Sequence, residues 1–321
     1  MMLSRVADSF YWIGRYTERA EHACRVLQIT LTAGLEAGTE EAELTTDRAM
    51  RALGAAPMAA RMDALEEARL LTFGGAGELS SIHSAVFAAR ENARQVRDQI
   101  TTEMWDRLNR LYFRVRETAS KPDFANLAAG FFEEAINDLH AFKGIVSGTL
   151  SHGEGFHFLA MGRTIERAQL IVRLLDLHFG ERQAAIGDFG WVQLLRMCCG
   201  LEPYLRVKTA NFQRDQIADF LVLDPYFPRS LRFCANEIAQ HMEAVGVLAE
   251  ARARETCRRL SGRLAARLNF AVLEDVTGKS GQAFIGQVAD DCIAISDAVH
   301  AAFISYSLAD RLPGTQFPGV M

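Results

Sequence analysis

The sequence predicts an all-α protein, a helical bundle made of two pseudo-equivalent halves. Three observations predict this class. Apolar residues recur at steps of three and four along most of the chain, which is the period of helices with one buried face. The sequence contains no alternating, strand-like runs bounded by turn residues. The heptapeptide GRYTERA at 14–20 returns as GRTIERA at 162–168, which indicates that one helical unit occurs twice.

Clusters of Gly, Pro and Asp divide the chain into helical segments. These clusters fall at 38–43, 54–57, 73–77, 121–123, 151–155, 187–190, 223–228 and 277–281. We expect about six helices on each side of residue 152. The most regular apolar stripes run over 123–151 and 284–306, so each half is predicted to end in a long helix with one buried face.

An internal duplication accounts for the repeat. With a shift of 148 residues, the Gly, Arg, Glu, Arg and Ala of the first heptapeptide fall on those of the second. With nearly the same shift, 80–93 falls over 229–239, and the 123–151 stripe falls over the final helix. We therefore expect two halves, 1–151 and 152–310, packed as one compact unit around an approximate two-fold axis, with the paired first helices close to that axis.

The C-terminal tail, 311–321, is predicted to be extended because its prolines and glycines disfavour a helix. Its apolar residues suit either packing on the body of the protein or docking on a partner.

Composition excludes several classes of function. The chain has 321 residues and a formal net charge of −5, which gives no general attraction to nucleic acid. Its first residues lack an apolar segment followed by a small-residue cleavage site, and no run of about 18 apolar residues occurs, so we expect a cytoplasmic protein without a secretory signal or a membrane span. The six cysteines form no C-x-x-C pair, which is typical of reduced, buried thiols. We expect no cofactor.

The repeated charges are the first candidate site. Arg15, Glu18 and Arg19 lie along one side of a predicted helix, and Arg163, Glu166 and Arg167 repeat them. On an ordinary helix such charges face water and add only about 0.2–0.5 kcal/mol per pair. Their recurrence in register instead indicates a fixed partner, which is either a buried ion network between the halves or an anionic ligand in the groove. We favour the network.

A second charged cluster lies at 89–105. Arg90, Arg94 and Arg97 are predicted to share one helix face with Thr101, beside Glu91. Three arginines so placed repel each other unless carboxylates or an anion lie opposite, and we favour ion pairing across helices.

The matching position of the second half is 227–230, where a helix is predicted to start with Arg229 or Ser230 near its cap.

These stretches resemble the bacterial alpha-E family over essentially the whole chain. The resemblance rests on segments that begin at 2, 89, 131, 154 and 221, in the expected order. Members of that family are all-helical, and they tend to be encoded beside or fused to a circularly permuted ATP-grasp protein, often with a transglutaminase-like protease. The resemblance implies a role in a system that forms peptide or amide bonds, and it matches the family's charged positions to the arginines and glutamates named above.

The sequence contains only weak motifs for binding a metal ion or a nucleotide. Glu154 and His157 have the Glu-x-x-His spacing of half a di-iron site, and Asp297 with His300 is the nearest candidate for the other half. We expect ordinary histidines here and no metal. The GKSG at 278–281 lacks the preceding glycine of a phosphate-binding loop, so a partner is expected to bind any ATP.

Three hypotheses for function follow. The leading one is a non-catalytic accessory subunit that binds an ATP-grasp-type ligase or its peptide substrate, using the Arg/Glu clusters at the groove between the two halves. The competing one is an enzyme acting on a small carboxylate or peptide, with Glu18 and Glu166 as acid–base candidates and the arginines as a clamp. The third is a structural homo-oligomer.

Overall fold

The computed structural model describes residues 4–36, 40–54, 64–74, 81–180, 186–246, 251–278 and 280–304. These residues contain no strand, so the predicted all-α class is confirmed. The α-helices are α1 Ser4–Glu36, α2 Glu40–Ala52, α3 Ala64–Phe73, α4 Ile82–Gln95, α5 Thr102–Ala119, α6 Phe124–Thr149, α7 Glu154–Phe179, α8 Asp188–Met197, α9 Leu201–Lys208, α10 Arg214–Ala218, α11 Leu231–Gly246, α12 Ala251–Asn269, α13 Leu273–Thr277 and α14 Gly281–Val299. Two π-helical turns, Asp219–Leu223 and His300–Ile304, follow α10 and α14.

The described helices are more numerous after residue 152 than the break pattern predicts. Six α-helices precede it, as expected, and eight follow it. The difference arises between α8 and α10, where the helices are short. Cys199 and Thr209 there have φ angles of 54° and 57°, and such left-handed backbone ends a helix.

Two glycines bring the central helices α1 and α7 into close contact. A Cβ atom on Gly14 would lie 2.0 Å from the backbone oxygen of Leu159, and one on Gly162 would lie 2.1 Å from the backbone oxygen of Tyr11. Only a residue without a side chain permits this approach. The two contacts correspond under the shift of 148, and they set the side chains that follow each glycine against the opposite helix.

The outer helices surround each central helix in the same order. Helices α4 and α6 pack on α1, whereas α11 and α14 pack on α7. Asp138 of α6 accepts hydrogen bonds from two arginines of α5, and Asp291 of α14 accepts them from two arginines of α12. This arrangement agrees with the overlay of α4 on α11 and of α6 on α14. Duplication as its origin stays a prediction.

Side-chain caps fix several helix starts. Ser81 and Ser230 accept hydrogen bonds from backbone amides in the first turns of α4 and α11, which confirms the start predicted at Ser230. The prediction that Arg97 and Thr101 continue the α4 face is wrong. Helix α4 ends at Gln95, a turn follows, and Thr101 caps the separate helix α5.

The six cysteines are free thiols, five of them buried and Cys199 partly exposed. Every helix within the described ranges is too short or too polar to traverse a lipid bilayer. The predicted tail, 311–321, lies outside the described residues.

Candidate functional site

The turns after Gly14 place two arginines of α1 on one carboxylate of α7. Arg15 donates from Nε to Oε2 of Glu166 at 2.6 Å, and Arg19 donates from Nε to Oε1 at 2.6 Å and from Nη2 to Oε2 at 3.2 Å. Arg15 also donates to the side-chain oxygen of Gln169 at 2.6 Å. Because the Glu166 side chain is only 4% exposed, its carboxylate is held by protein donors and not by water.

In the reverse contact, an arginine of α7 binds the carboxylate of Glu18 on α1. Arg167 donates from Nε to Oε1 of Glu18 at 2.9 Å and from Nη2 to Oε2 at 3.1 Å. Lys143 of α6 donates to Oε2 at 2.8 Å, and Nη1 of Arg229 lies 3.3 Å from Oε1. The Glu18 side chain is fully buried, so three cations from three elements surround one carboxylate.

The two contacts are reciprocal. Arg19 binds Glu166, and the residues related to them by the shift of 148, Arg167 and Glu18, bind each other. We call these two groups of ion pairs together the Glu–Arg network. One group is centred on Glu166 and the other on Glu18 and Glu21, and no ion pair among the described residues joins them. The network comprises Arg15, Glu18, Arg19, Glu21, Arg25, Lys143, Glu166, Arg167 and Arg229.

Glu21 is a second buried carboxylate of α1, and it lies just outside the repeated heptapeptide that predicts the site. It accepts hydrogen bonds from Arg229 at 2.7 Å, from Arg25 at 3.2 Å and from Lys143. Its position one turn after Glu18, on the same helix face, is a signal that could have found it. Lys143 has no such signal, because it lies 122 residues away on a helix predicted from its apolar stripe.

The network keeps its carboxylates ionised. Burial alone would raise the pKa of Glu18, but the charges of Arg167, Lys143 and Arg229 more than offset it and hold the pKa well below its usual value. Burial and the neighbouring cations act on Glu21 in the same way. Against burial, the hydrogen bond from Arg19 and the nearby guanidinium charges lower the pKa of Glu166. These groups accept hydrogen bonds and do not exchange protons near neutral pH.

Arg163 does not repeat the contacts of Arg15, the residue related to it by the shift of 148. Its Nε is buried without a hydrogen-bond partner, and it forms no ion pair within the described part of the chain. Burial, with the charge of Arg167 next, lowers its pKa. The carboxylate that would match Glu166 is Glu18, and three other cations already occupy it.

The second cluster lies apart, between α4 and α5. Arg90 donates to Glu91 and to Asn109, each at 2.8 Å, and its guanidinium lies 5.3 Å from the ring centre of Trp105. Arg94 donates to Glu91 at 2.8 Å, with 62% of its side chain exposed. All of these contacts are made inside the first half, so this cluster does not line the groove between the halves.

The two histidines of the possible metal site, His157 and His300, contact other side chains and not each other. The Nδ1 atom of His157 lies 3.1 Å from Nδ1 of His241 on α11, and the His300 ring packs 5.7 Å from the ring centres of Tyr11 and Trp12. Among the described residues, no group of three or more His, Cys, Asp or Glu side chains is placed to hold a metal ion.

Three buried histidines predict a pH dependence of stability. Burial lowers the pKa of His22, His178 and His241 to about 4, helped by nearby cationic side chains. In the unfolded chain the same groups titrate at about 6.5. The unfolded state therefore binds more protons between pH 6.5 and 4, and stability falls as the pH is lowered through this window.

We expect the free energy of unfolding to drop between pH 7.5 and 5.5 by on the order of 1 kcal/mol per buried histidine. Urea unfolding at a series of pH values measures this slope. His241→Gln should make the slope shallower, and His83→Gln on α4 serves as the control. Equal slopes for wild type and His241→Gln would contradict the assignment.

The fold and the site together define a class of protein. It is an all-α protein in which each of two central helices pairs a Glu with an Arg of the other helix. The chain belongs to the Alpha-E family. The family model, described as a predicted alpha-helical domain with a conserved ER motif, matches residues 2–304. The Glu-Arg dipeptides at 18–19 and 166–167 both lie within the Glu–Arg network. The resemblance found in the sequence is thereby confirmed.

Curated relatives are longer and uncharacterized. One protein of Mycobacterium bovis and one of Mycobacterium tuberculosis are each 23% identical to this chain over 248 residues. A further Mycobacterium tuberculosis protein is 22% identical over the same length. Each alignment covers 71% of this chain and 28% of the relative, so the chain spans less than a third of the relatives' length. No solved structure matches the chain.

Proposed function

We propose that this protein is a non-catalytic accessory subunit, acting in the cytoplasm, that binds an ATP-grasp-type peptide or amide ligase or the peptide substrate of that ligase. One observation carries the proposal. The glutamates of both repeated dipeptides are buried and fully engaged by arginines of the opposite half. Residues used in this way stabilise the helix pair, and they leave recognition to the surface.

The competing enzyme hypothesis requires a carboxyl group with a pKa near the working pH and access to substrate. Glu18 and Glu166 both have lowered pKa values and fully or almost fully buried side chains. Their charges are neutralised before any substrate arrives. These properties favour binding over acid–base catalysis.

The relatives support action together with other protein segments. In the mycobacterial proteins the region similar to this chain is 28% of the polypeptide, so it is joined to further sequence there. A ligase as the partner, with a transglutaminase-like protease as a further component, is what the family resemblance implies.

One exposed apolar surface suits such a partner. A cavity of about 480 Å³ lies where α9 meets the start of α11. Its lining residues include Val207 and Tyr226, which are 59% and 86% exposed, and Arg229 of the Glu–Arg network. Exposed apolar groups that cluster around a concave site are typical of contact surfaces for proteins. We propose that the ligase docks here.

Tyr226→Ala is expected to weaken association with the proposed ATP-grasp-type ligase by at least about tenfold, because tyrosine is enriched among the interface residues whose truncation costs about 2 kcal/mol or more. Titration of the purified ligase, followed by interferometry, measures the affinity. Phe270→Ala is the matched control, since Phe270 is 85% exposed and lies between α12 and α13, away from this cavity.

Equal affinities for both variants would overturn the docking surface. Turnover by this protein alone that Glu166→Gln abolishes would overturn the non-catalytic role. The homo-oligomer hypothesis predicts instead a molar mass that rises with concentration in sedimentation experiments without any ligase.

A further inference from the structure

A small cavity opens beside the Glu–Arg network, at the junction of α1, α2, α3 and α7. It has a volume of about 210 Å³ and is lined by Arg19, Ala23, Leu53, Leu71, Leu170 and Arg173. Sites for drug-sized ligands have about 300–1,000 Å³, so this one has room for a molecule of amino-acid size.

The cavity combines two guanidinium groups with aliphatic walls. Arg19 is fixed by its Nε and Nη2 bonds to Glu166, which leaves Nη1 without a hydrogen bond to any described residue. Arg173 is exposed and forms no ion pair within the described ranges. No carboxylate is among the described residues that line the cavity. Two cationic donors are thus free to meet an anion next to apolar side chains.

A difference between the two halves explains why Arg173 has no ion-pair partner among the described residues. Its counterpart under the shift of 148 is Arg25, which pairs with Glu21 one turn earlier on α1. The counterpart of Glu21 on α7 is the uncharged Gln169, and this amide instead accepts a hydrogen bond from Arg15. One neutral residue therefore leaves the α7 arginine unneutralised at the mouth of the cavity.

The ratio of cationic to anionic side chains near the cavity also favours an anionic ligand. The group of the Glu–Arg network that borders the cavity holds one carboxylate, Glu166, against two arginines, Arg15 and Arg19. Arg173 and the unpaired Arg163 add to this excess of cations, although the whole chain has a net charge of −5. A partly buried excess of positive charge favours binding of an anion.

We propose that this cavity binds a small carboxylate that carries an aliphatic side chain, either a free N-acylated amino acid or the C-terminal residue of a peptide. The carboxylate lies between Arg19 and Arg173, where guanidinium groups can donate paired hydrogen bonds. The aliphatic group packs on Leu53, Leu71 and Leu170. This inference goes beyond docking of a ligase and does not depend on it.

Ligand-observed NMR titrations of the full chain with N-acetyl-leucine and N-acetyl-leucinamide test the proposal. We expect saturable binding of the acid with a Kd of roughly 1 mM or tighter. The amide has the same shape without the charge, so it should bind at least about tenfold more weakly. Arg173→Gln should weaken binding of the acid by a similar factor. Arg110→Gln, an exposed arginine on α5 that also forms no ion pair among the described residues, should leave it unchanged.

A third probe separates the two sources of the carboxylate. If the tripeptide Ala-Ala-Leu binds as tightly as N-acetyl-leucine, the site accepts the end of a peptide chain, and if only the small acid binds, it accepts a free metabolite. Either result supports the site. No binding of either acid, equal binding of acid and amide, or an unchanged affinity in Arg173→Gln would overturn it. Binding of inorganic phosphate more tightly than N-acetyl-leucine would overturn the aliphatic carboxylate as the ligand class.

Discussion

Glu18→Ala is expected to lower the free energy of unfolding by about 3–5 kcal/mol, the usual cost of removing one partner from a buried ion pair. The loss is large because Arg167, Lys143 and Arg229 would then face each other with only Glu21 to neutralise them. Glu166→Ala should cost less. One of its two cations, Arg19, has 33% of its side chain exposed and can be hydrated when the carboxylate is lost.

Urea unfolding at pH 7.5 measures these differences, and Glu91→Ala is the matched control. Glu91 also binds two arginines, Arg90 and Arg94, but its side chain is 25% exposed and lies on the surface cluster of α4. Such pairs contribute about 0–1 kcal/mol. If Glu18→Ala destabilised the protein no more than Glu91→Ala does, the Glu–Arg network would not be the stabilising element that we infer.

The periodic pattern of the sequence predicted the helices well where their buried face is long. Helix α6 covers nearly all of the 123–151 stripe, and α14 with the π-helical turn after it covers 284–304 of the other stripe, whose last two residues lie outside the described ranges. A stripe at helical spacing predicts such helices because it has a single way to bury itself. The short helices between residues 186 and 223 were not separated in the same way. Their ends depend on left-handed residues such as Cys199 and Thr209, whose conformation is set by packing and not by local propensity.

The sequence predicted some members of the Glu–Arg network and not others. The repeated Glu and Arg indicated fixed partners in the opposite half, and the reciprocal contacts of Arg19 and Arg167 have that form. Lys143 could not be foreseen, because a contact across 125 residues depends on how α6 packs against α1. No periodicity within one helix contains that information.

The symmetry of the repeat also concealed differences between the halves. The repeat predicts equivalent roles for Arg15 and Arg163, yet among the described residues only Arg15 forms an ion pair with a carboxylate. The cause lies in residues outside the repeated heptapeptides, since Arg229 and Lys143 occupy Glu18 and Gln169 stands where a second glutamate would match Glu21. Similar local sequence therefore produced one closed charge cluster and one that borders an open cavity.

Gly162→Ala is expected to destabilise the protein by at least about 3 kcal/mol, which is the upper range for overpacking a buried contact. The added Cβ would lie 2.1 Å from the backbone oxygen of Tyr11, so a flexible side chain cannot move aside to accommodate it. Helices α1 and α7 would have to separate. Gly144→Ala on α6 is the control, because no atom outside its own helix turn lies within 4 Å of that Cβ. This change should stabilise the protein by about 0.5–1 kcal/mol.

The same separation should weaken the Glu–Arg network, because its hydrogen bonds span the α1–α7 interface next to the glycine contacts. Gly162→Ala and Glu18→Ala are therefore expected to be non-additive, with the double variant losing less stability than the two single losses together. Urea unfolding of the four proteins in this cycle measures the coupling. Full additivity would mean that the close helix crossing and the ion pairs stabilise the protein independently, and the glycines would then have no part in positioning the Glu-Arg dipeptides.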